Sequence, residues 1–393
     1  MTDLHLTIVP SVPVWVDGDA YVFDRKFHDG LLSYVRRWPG RVGCVARRAG
    51  GPLPAFGAIR VERRALPFGL ELIAADETVG ARHLAGTSIV LAAADDATQL
   101  HLSGLCRRLG VRCVYVIEYI AETRYQINAI EAPSRLVRLR RDLYLWRRER
   151  SRRAALRICD GIQANGVPAH EAYRRHTGSH LYFDTRTGHD ALVTDAELDS
   201  RLATLEERRP LRLAFSGRLI AMKGADHLPR VASRLRERGV DCRWTVYGTG
   251  ESEAAMRAEV SALGLAAIFD LPGAVDFDGR LIPEIKARTD LYVMLHRQSD
   301  PSCTYLETLA CGIPIVGYGN RALKGILELA DVGTAVAIDD IDAVVDAIAW
   351  LDGNRQRLAV QSRAAAAFAR SHTFEDTFQR RVDHLLHVAR TAR

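Results

Sequence analysis

The sequence has few lysines, no paired cysteines and no long apolar run. Only four of the 393 residues are lysine, so the formal net charge of +6 comes almost entirely from arginine. The seven cysteines include no Cys-x-x-Cys pair, which argues against a disulfide framework and against a zinc site. No apolar run reaches the ~18–20 residues that span a bilayer, and the N-terminus lacks a signal-peptide pattern. These absences predict a cytoplasmic protein with buried cysteines.

Two further patterns are missing. No strand–helix turn carries Gly-x-Gly-x-x-Gly followed by an acidic residue about twenty positions on, which argues against a dinucleotide oxidoreductase. The carboxylate pairs Asp95-Asp96 and Asp339-Asp340 stand where strands meet helices, and helix capping accounts for them. We therefore predict no metal site.

The length and the alternation of segments predict two domains. A chain of 393 residues exceeds one ordinary core. Strand and helix patterns alternate in the second half, and less regularly in the first, as in doubly wound parallel sheets. The polar stretch 185–209 lacks periodicity and is interpreted as the linker. Strands of the second half are predicted at 212–215, 243–247, 268–271, 291–295, 313–317 and 335–338.

The predicted architecture is α/β, with two Rossmann-like domains. The first domain is placed at 1–195, the second at 196–373, and a final helix at 374–393. Two such sheets in tandem bind ligands at the carboxyl ends of their strands, here expected to face a central cleft.

The clearest chemical pattern is a pair of cations after the strand at 212–215. Arg218 follows that strand, and Lys223, one of only four lysines, stands just beyond it. An arginine fork can grip two phosphate oxygens, and a lysine adds a mobile point charge. A helix start disfavours cations unless an anion binds there. The pattern favours a diphosphate site over the alternative, a solvated surface pair.

A second anion-binding element is predicted around Pro301. Asp300 is a suitable N-cap and Pro301 a suitable first helical residue. The amides that would then face outward belong to Ser302, Cys303 and Thr304. Glu307 follows among apolar neighbours, which favours a functional carboxylate over a solvated one.

These motifs stand in the order found in family 4 retaining glycosyltransferases of the GT-B fold, which the chain resembles over roughly residues 211–375. The motifs are Gly217-Arg218, Lys223-Gly224, Gly248-Thr249-Gly250, Pro272-Gly273-Ala274-Val275 and Glu307-Thr308-Leu309-Ala310-Cys311-Gly312-Ile313-Pro314. The resemblance implies metal-independent transfer of a sugar from a nucleoside-diphosphate sugar, with retention of anomeric configuration.

The resemblance also implies roles for individual residues. Arg218 and Lys223 would hold the diphosphate, Glu307 the ribose, and the loop 273–275 the base. The donor-binding residues predicted in all are Gly217, Arg218, Lys223, Gly248, Gly250, Ala274, Val275, Ser299, Asp300, Ser302, Cys303, Thr304 and Glu307. A UDP-sugar is favoured over a GDP-sugar, and no cofactor or metal is expected. The catalytic residues are predicted to be Arg218, Lys223 and Glu118.

One position departs from the family pattern. Members usually carry a second glutamate upstream of the one matched by Glu307, and it contacts the donor sugar. Ser299 stands at that position, with Asp300 beside it. Asp300 is a candidate replacement, and a loss of turnover is the alternative.

The acceptor site is predicted from strand ends in the first half. Glu118 follows an apolar strand at 114–117 and could accept the proton of the acceptor hydroxyl. Pairing with an arginine such as Arg124 is an equal alternative. The residues predicted to bind the acceptor are Asp17, Gly18, Tyr119 and Asn165.

The stretch 134–157 holds ten arginines against Asp142 and Glu149, with Tyr144, Leu145 and Trp146 among them. Such a segment can lie on an anionic membrane, or it can be the solvated face of a domain helix. Without a recognised nucleic-acid module, the charge does not predict nucleic-acid binding.

Together these features predict a cytoplasmic hexosyltransferase-type enzyme, and the arginine-rich stretch leaves a position at the inner face of the cell membrane open. Its acceptor would be a lipid-linked or polysaccharide glycan in cell-surface glycan biosynthesis. The alternatives are a soluble small-molecule acceptor and a catalytically silent sugar-nucleotide-binding subunit.

Overall fold

The computed structural model describes residues 4–53, 57–176 and 178–391. The elements up to residue 182 are β1 (His5–Val9), β2 (Trp15–Asp17), β3 (Ala20–Asp24), α1 (Arg25–Arg37), β4 (Arg41–Arg47), β5 (Ala58–Glu62), β6 (Gly69–Ile73), β7 (Ile89–Ala93), α2 (Leu102–Leu109), β8 (Arg112–Ile117), α3 (Ala121–Glu131), α4 (Arg135–Leu156), β9 (Gly161–Asn165), α5 (Gly166–Tyr173) and β10 (Ser179–Tyr182).

The remaining elements are α6 (Asp195–Glu206), β11 (Leu211–Ser216), α7 (Leu228–Glu237), β12 (Cys242–Tyr247), α8 (Glu253–Ala262), β13 (Phe269–Gly273), α9 (Ile282–Arg288), β14 (Leu291–Met294), α10 (Cys303–Ala310), β15 (Ile315–Tyr318), α11 (Arg321–Leu329), β16 (Gly333–Val336), α12 (Ile341–Gly353), α13 (Arg355–Arg370) and α14 (Phe374–Arg390). Short 3-10 turns and one π-helical turn, Phe277–Leu281, connect some of them.

The chain forms two compact units. Unit 1 comprises Met1–Arg124, Pro133–Tyr182 and Glu375–Arg393, and unit 2 comprises Tyr125–Ala132 and Phe183–Phe374. The chain therefore joins unit 2 at Phe183, earlier than the boundary placed at 195/196 from the sequence. Phe183 packs edge-on against Phe368 and His372, which explains the early start of unit 2.

Unit 1 is built on a seven-stranded parallel sheet. Its strand order is β10-β9-β8-β7-β1-β4-β6, and β2, β3 and β5 form a separate antiparallel sheet. The central strands are continuous apolar runs because helices cover both faces of a parallel sheet. Helix α14 belongs to this unit, where Phe378 packs against Tyr34 at a ring distance of 5.2 Å. Arg381 of the same helix binds the Gln163 side chain at 2.8 Å.

Unit 2 is built on a six-stranded parallel sheet with the order β13-β12-β11-β14-β15-β16. Fully buried side chains such as Phe215, Trp244 and Val316 fill the layer between this sheet and its helices. The strand order reverses between β11 and β14. The carboxyl ends of these two strands therefore form the crevice in which open α/β sheets bind ligands.

The predicted aperiodic linker is wrong in its middle part, because α6 is a regular helix of unit 2. Leu198, Leu202 and Leu205 are buried at helical spacing. Thr194 and Glu197 form a reciprocal capping box at its start, which satisfies two amides of the first turn.

The two ends of the long segment of unit 2 meet. The amide of Phe374 donates to the carbonyl oxygen of Thr187 at 2.9 Å. The predicted fold class, α/β with two Rossmann-like parallel-sheet domains, is confirmed. Within the described part of the chain, no helix is both long enough and apolar enough to cross a membrane.

Candidate donor site and acceptor residues

The carboxyl edge of the unit 2 sheet brings together the residues predicted to bind the donor. Because the strands are parallel, the residues that follow them emerge at one edge. Gly217 and Arg218 follow β11, Gly248 and Gly250 follow β12, Ala274 and Val275 follow β13, and Ser299, Asp300 and the start of α10 follow β14.

Close packing of backbone explains the glycines of this edge. A Cβ on Gly248 would lie 1.9 Å from the carbonyl oxygen of Gly217, and the φ of Gly248 is +126°. A Cβ on Gly224 would lie 2.2 Å from the carbonyl oxygen of Leu295. The segment after β11 can therefore approach those after β12 and β14 only without side chains at these positions.

The two predicted phosphate-binding cations have different surroundings. Arg218 is exposed, and its guanidinium has no ion-pair partner among the described residues. Lys223 is buried, with its Nζ 3.2 Å from Asp300 Oδ2 and 3.5 Å from His296 Nδ1. Burial and the charge of Lys223 hold the pKa of His296 well below its usual range, so this imidazole is neutral at neutral pH. Arg218 is thus available to an anion. Lys223 would have to release Asp300 in order to bind an anion.

The two carboxylate oxygens of Asp300 have different surroundings. Its Oδ1 is buried and has no hydrogen-bond partner among the described residues, although Oδ2 accepts from Lys223. A buried carboxylate oxygen without a donor is uncommon and requires an explanation. Ser299 beside it is held by its neighbours: its amide donates to Gln126 at 3.1 Å, and its Oγ accepts from the amide of Arg321.

The prediction that Asp300 caps the following helix is wrong. Helix α10 begins at Cys303 with Ser302 as N-cap, because the Asp300 side chain is turned to Lys223. The amide of Ser302 donates to the Asp300 carbonyl oxygen at 2.9 Å. This amide is therefore engaged in the structure and is not available to an anion at the start of the helix.

Glu307, predicted to bind ribose, lies on α10 and is nearly buried. Arg186 donates from its Nε to Glu307 Oε1 at 3.0 Å. The Arg186 guanidinium also stacks over the ring of Phe277, with its Cζ 3.9 Å from the ring centroid. Burial alone would lower the pKa of Arg186, but the carboxylate of Glu307 outweighs it and the pKa is raised.

In unit 1, two of the predicted acceptor-side residues emerge at one sheet edge. Glu118 follows β8 and Asn165 ends β9, and these strands are parallel neighbours in which Ile117 pairs with Ala164. The amides of Glu118 and Tyr119 both donate to Asp95 Oδ2, at 2.7 and 3.4 Å.

A buried arginine fixes this edge. Arg152 is 1% exposed and donates to Asp95, to Glu149 and to the carbonyl oxygen of Tyr119. Arg124 pairs with the same Asp95. Asp95 is therefore the centre of a polar network, whereas Asp96 caps a short turn as expected.

Asp17 and Gly18 lie elsewhere in unit 1. They form the turn between β2 and β3 in the small antiparallel sheet, with Gly18 at φ +55°. The Asp17 carboxylate pairs at 3.0 Å with Arg60 of β5, the strand on the other side of β3. Asp17 and Gly18 thus lie in a different sheet from the strands that position Glu118 and Asn165.

Helix α4 contains the arginine-rich stretch. Its inner face carries Arg152, Ala155 and Leu156, which are buried. Four large apolar residues at a spacing of three or four positions, which places them on one face, are between 49% and 66% exposed. These are Leu136, Leu139, Leu143 and Trp146.

Sequence reasoning missed Arg186, His296 and Arg152. Arg186 stands in the stretch interpreted as a linker, and no local pattern indicates its partner Glu307. His296 directly follows the strand predicted at 291–295, a position where a polar residue could have been noted. No group of three or more His, Cys, Asp and Glu side chains suited to a metal ion is found among the described residues.

Residues 200–367 match the model of the family described as glycosyl transferases group 1. The match spans the strands β11–β16 and thus the whole predicted donor edge. Residues 200–367 are therefore similar to a group 1 glycosyltransferase domain. The predicted enzyme class is confirmed at the level of this domain.

The chain has curated relatives with which it aligns over part of their length. A GDP-mannose-dependent alpha-(1-6)-phosphatidylinositol monomannoside mannosyltransferase of Mycolicibacterium smegmatis is 28% identical over 193 residues, covering 47% of this chain and 50% of the relative. A 2-deoxystreptamine N-acetyl-D-glucosaminyltransferase of Streptomyces fradiae is 27% identical over 143 residues, covering 36% and 33%. The chain thus aligns with half or less of each relative.

Solved structures resemble the chain over nearly its full length. HepE of Anabaena, solved with UDP, superposes with a TM-score of 0.63 at 14% identity, covering 98% of this chain and 99% of HepE. The lipopolysaccharide outer core galactosyltransferase WaaB gives a TM-score of 0.63 at 8% identity, with the same coverage. At these identities the likeness is one of fold.

Proposed function

We propose that this chain is a retaining glycosyltransferase. It would move a sugar from a nucleoside-diphosphate sugar to a hydroxyl of a lipid-linked or polysaccharide glycan, without a metal. The observation that carries the proposal is the meeting of Arg218, Lys223 and Glu307 at the carboxyl edge of the group 1 domain, at the strand-order reversal. Two names support it, since one curated relative is a GDP-mannose-dependent mannosyltransferase and HepE of Anabaena has been solved with UDP-glucose.

Fixed cations supply the electrostatic part of the reaction. As the bond to the sugar breaks, negative charge grows on the departing diphosphate, and preorganised donors stabilise that charge most. The exposed fork of Arg218 can bind two phosphate oxygens, and Lys223 adds a point charge from its buried position. By comparison with single oxyanion donors, loss of either cation should lower turnover ~10²–10³-fold.

Asp300 is proposed to replace the missing family glutamate at the donor sugar. Its Oδ1, which has no hydrogen-bond partner in the part of the chain that the structure describes, is an acceptor suited to a sugar hydroxyl. An Asp300→Asn variant should bind the nucleoside diphosphate as the wild type does but transfer sugar at least ~10-fold more slowly. Loss of nucleoside diphosphate binding in that variant would instead give Asp300 only the role of positioning Lys223.

Thermal stabilisation by nucleotides tests the donor site. UDP, GDP, ADP and their sugars would be added with a chelator present to wild type, Arg218→Ala, Lys223→Ala and the control Arg230→Ala. Arg230 is an exposed arginine of unit 2 that pairs with Glu259, outside the donor edge. A ligand at about 100 times its Kd stabilises by roughly 2.7 kcal/mol. Wild type and the control should respond to one nucleotide, while the two donor-edge variants should not.

Product analysis tests the reaction itself. Retention predicts that a product formed from an α-linked donor carries an α linkage, which the anomeric coupling in a proton spectrum reports. Nucleotide binding without transfer or donor hydrolysis would point to a silent binding subunit. A Glu118→Gln variant, which removes the proposed proton acceptor, should lower transfer without weakening nucleotide binding.

We also propose that α4 brings the enzyme to an anionic membrane. Its outward apolar stripe (Leu136, Leu139, Leu143 and Trp146) is flanked by arginines, the composition of a helix that lies in the headgroup region. Glu149, one of only two acids on this helix, is turned to Arg152. The outer face is therefore strongly basic and apolar, and charge complementarity favours anionic lipid over a neutral surface.

Vesicle sedimentation tests the membrane contact. The protein should bind vesicles of phosphatidylcholine with phosphatidylglycerol, but not phosphatidylcholine alone, and salt should weaken the binding. A Leu139→Glu/Leu143→Glu variant should lose it. Leu329→Glu, which alters a leucine of similar exposure in unit 2, is the control. No binding by the wild type would favour a soluble acceptor.

A further inference from the structure

Arg186 bridges two parts of the donor edge that are distant in sequence. Its Nε contacts Glu307 on α10, and its guanidinium lies on Phe277, two residues after the predicted base loop. The Arg186 side chain is 46% exposed. None of its Nη hydrogens has a hydrogen-bond partner among the described residues. One face of the planar cation and four N–H donors are thus directed to a ligand or to solvent.

The position of Arg186 matches one end of a nucleotide. Glu307 is the residue proposed for ribose, and Ala274 and Val275 are those proposed for the base. A side chain that touches Glu307 and packs on Phe277 lies between the ribose and base positions. Stacking on the ring and the bond to Glu307 hold the guanidinium plane in one orientation, so little rotamer entropy is lost when a ligand binds.

We propose that Arg186 recognises the nucleoside of the donor, an inference that rests on the proposed function. Its Nε holds the carboxylate of Glu307 in place for the ribose hydroxyls, and its Nη donors bind a carbonyl oxygen of the base. Uracil and guanine offer such oxygens, whereas adenine offers an amino group at the corresponding position. Arg186 therefore selects UDP or GDP over ADP.

Calorimetric titration separates the nucleoside contact from the phosphate contact. UDP, GDP, ADP and inorganic pyrophosphate would be titrated into wild type, Arg186→Met, Arg186→Lys and Arg280→Met. Arg280 is the matched control, because it is an exposed arginine of the π-helical turn that contains Phe277, and it pairs with Glu284 at 2.9 Å. The wild type should bind UDP or GDP more tightly than ADP and pyrophosphate.

Each outcome bears on the inference. Arg186→Met should bind the preferred nucleotide about 10- to 100-fold more weakly, the range for hydrogen bonds to charged groups, with unchanged pyrophosphate affinity. Arg186→Lys should recover only part of the loss, and Arg280→Met should behave as wild type. The inference is overturned if Arg186→Met keeps its preference over ADP, or if it binds the nucleotide more tightly, since Arg186 would then merely shield Glu307.

Failure of the proposed function has a different signature. A wild type that binds no nucleotide contradicts both proposals. A wild type whose binding is lost in Arg218→Ala but unchanged in Arg186→Met contradicts the role of Arg186 alone. Retained pyrophosphate binding shows in the same titration that the variant is folded.

Discussion

Asp290 offers the sharpest test of how unit 2 is held together. Its side chain is 1% exposed and stands just before β14, where both oxygens accept from Arg209 and Arg212 at 2.6–3.2 Å. Burial alone would raise the pKa of this carboxyl. The hydrogen bonds and charges of the two arginines outweigh burial and lower the pKa from 3.8 to about 2.

The pKa difference gives the size of the effect. Lowering the pKa from 3.8 to about 2 corresponds to about 2 kcal/mol of folding free energy at neutral pH. Asp290→Asn loses this contribution and leaves two arginines without their carboxylate, so the free energy of unfolding should fall by roughly 2–5 kcal/mol. Because the folded pKa is the lower one, the contribution is present above pH ~4 and is lost as the pH falls towards 2.

Urea unfolding, monitored by amide hydrogen exchange in β11, would measure this change in the free energy of unfolding. Asp331→Asn is the control, since Asp331 pairs with Arg357 at 2.7 Å with both side chains about half exposed, and should change stability by less than ~1 kcal/mol. A change below 1 kcal/mol for Asp290→Asn, or one that persists undiminished at pH 2, would refute the reasoning.

Three further predictions concern other contacts. Gly248→Ala places a Cβ 1.9 Å from the Gly217 carbonyl oxygen and should abolish nucleotide binding and lower the melting temperature, both checked by a thermal scan with and without nucleotide. Burial and the nearby His384 lower the pKa of His180 to about 4, so stability should fall as the pH drops from ~6.5 to 4; chemical unfolding should show a weaker pH dependence in His180→Phe. Arg152→Met removes a fully buried arginine from its ion pairs with Asp95 and Glu149 and should destabilise unit 1 by ~3–5 kcal/mol in urea unfolding, where an unchanged midpoint would contradict a structural role.

The sheet of unit 2 could be predicted from the sequence because buried parallel strands are continuous apolar runs. The strand predicted at 243–247 is Cys242–Tyr247, and that predicted at 291–295 is Leu291–Met294. The convergence of the motifs at one edge follows from parallel strand order. Where the geometry of a parallel sheet dictates the sequence pattern, the predicted strand bounds lie within one residue of the observed ones in these two strands.

Side-chain pairing over long sequence separations could not be predicted. Lys223 and Asp300 are 77 residues apart, and Arg186 and Glu307 are 121 apart, so no local pattern relates them. Because Asp300 pairs with Lys223, it does not cap α10, and the helix begins later than predicted. Helix α6 differs from these pairs, because the helical spacing of its buried leucines is a local pattern visible in the sequence.

The order of the segments along the chain has a consequence for synthesis. Unit 1 uses Phe378, Val382 and Leu385 of α14 in its core, yet these residues leave the ribosome only after all of unit 2. The ends of 183–374 are already joined through Phe374 and Thr187. We infer that unit 2 can fold on the ribosome before unit 1, because the last helix of unit 1 is synthesised after unit 2. Proteolysis of stalled nascent chains would reveal this order.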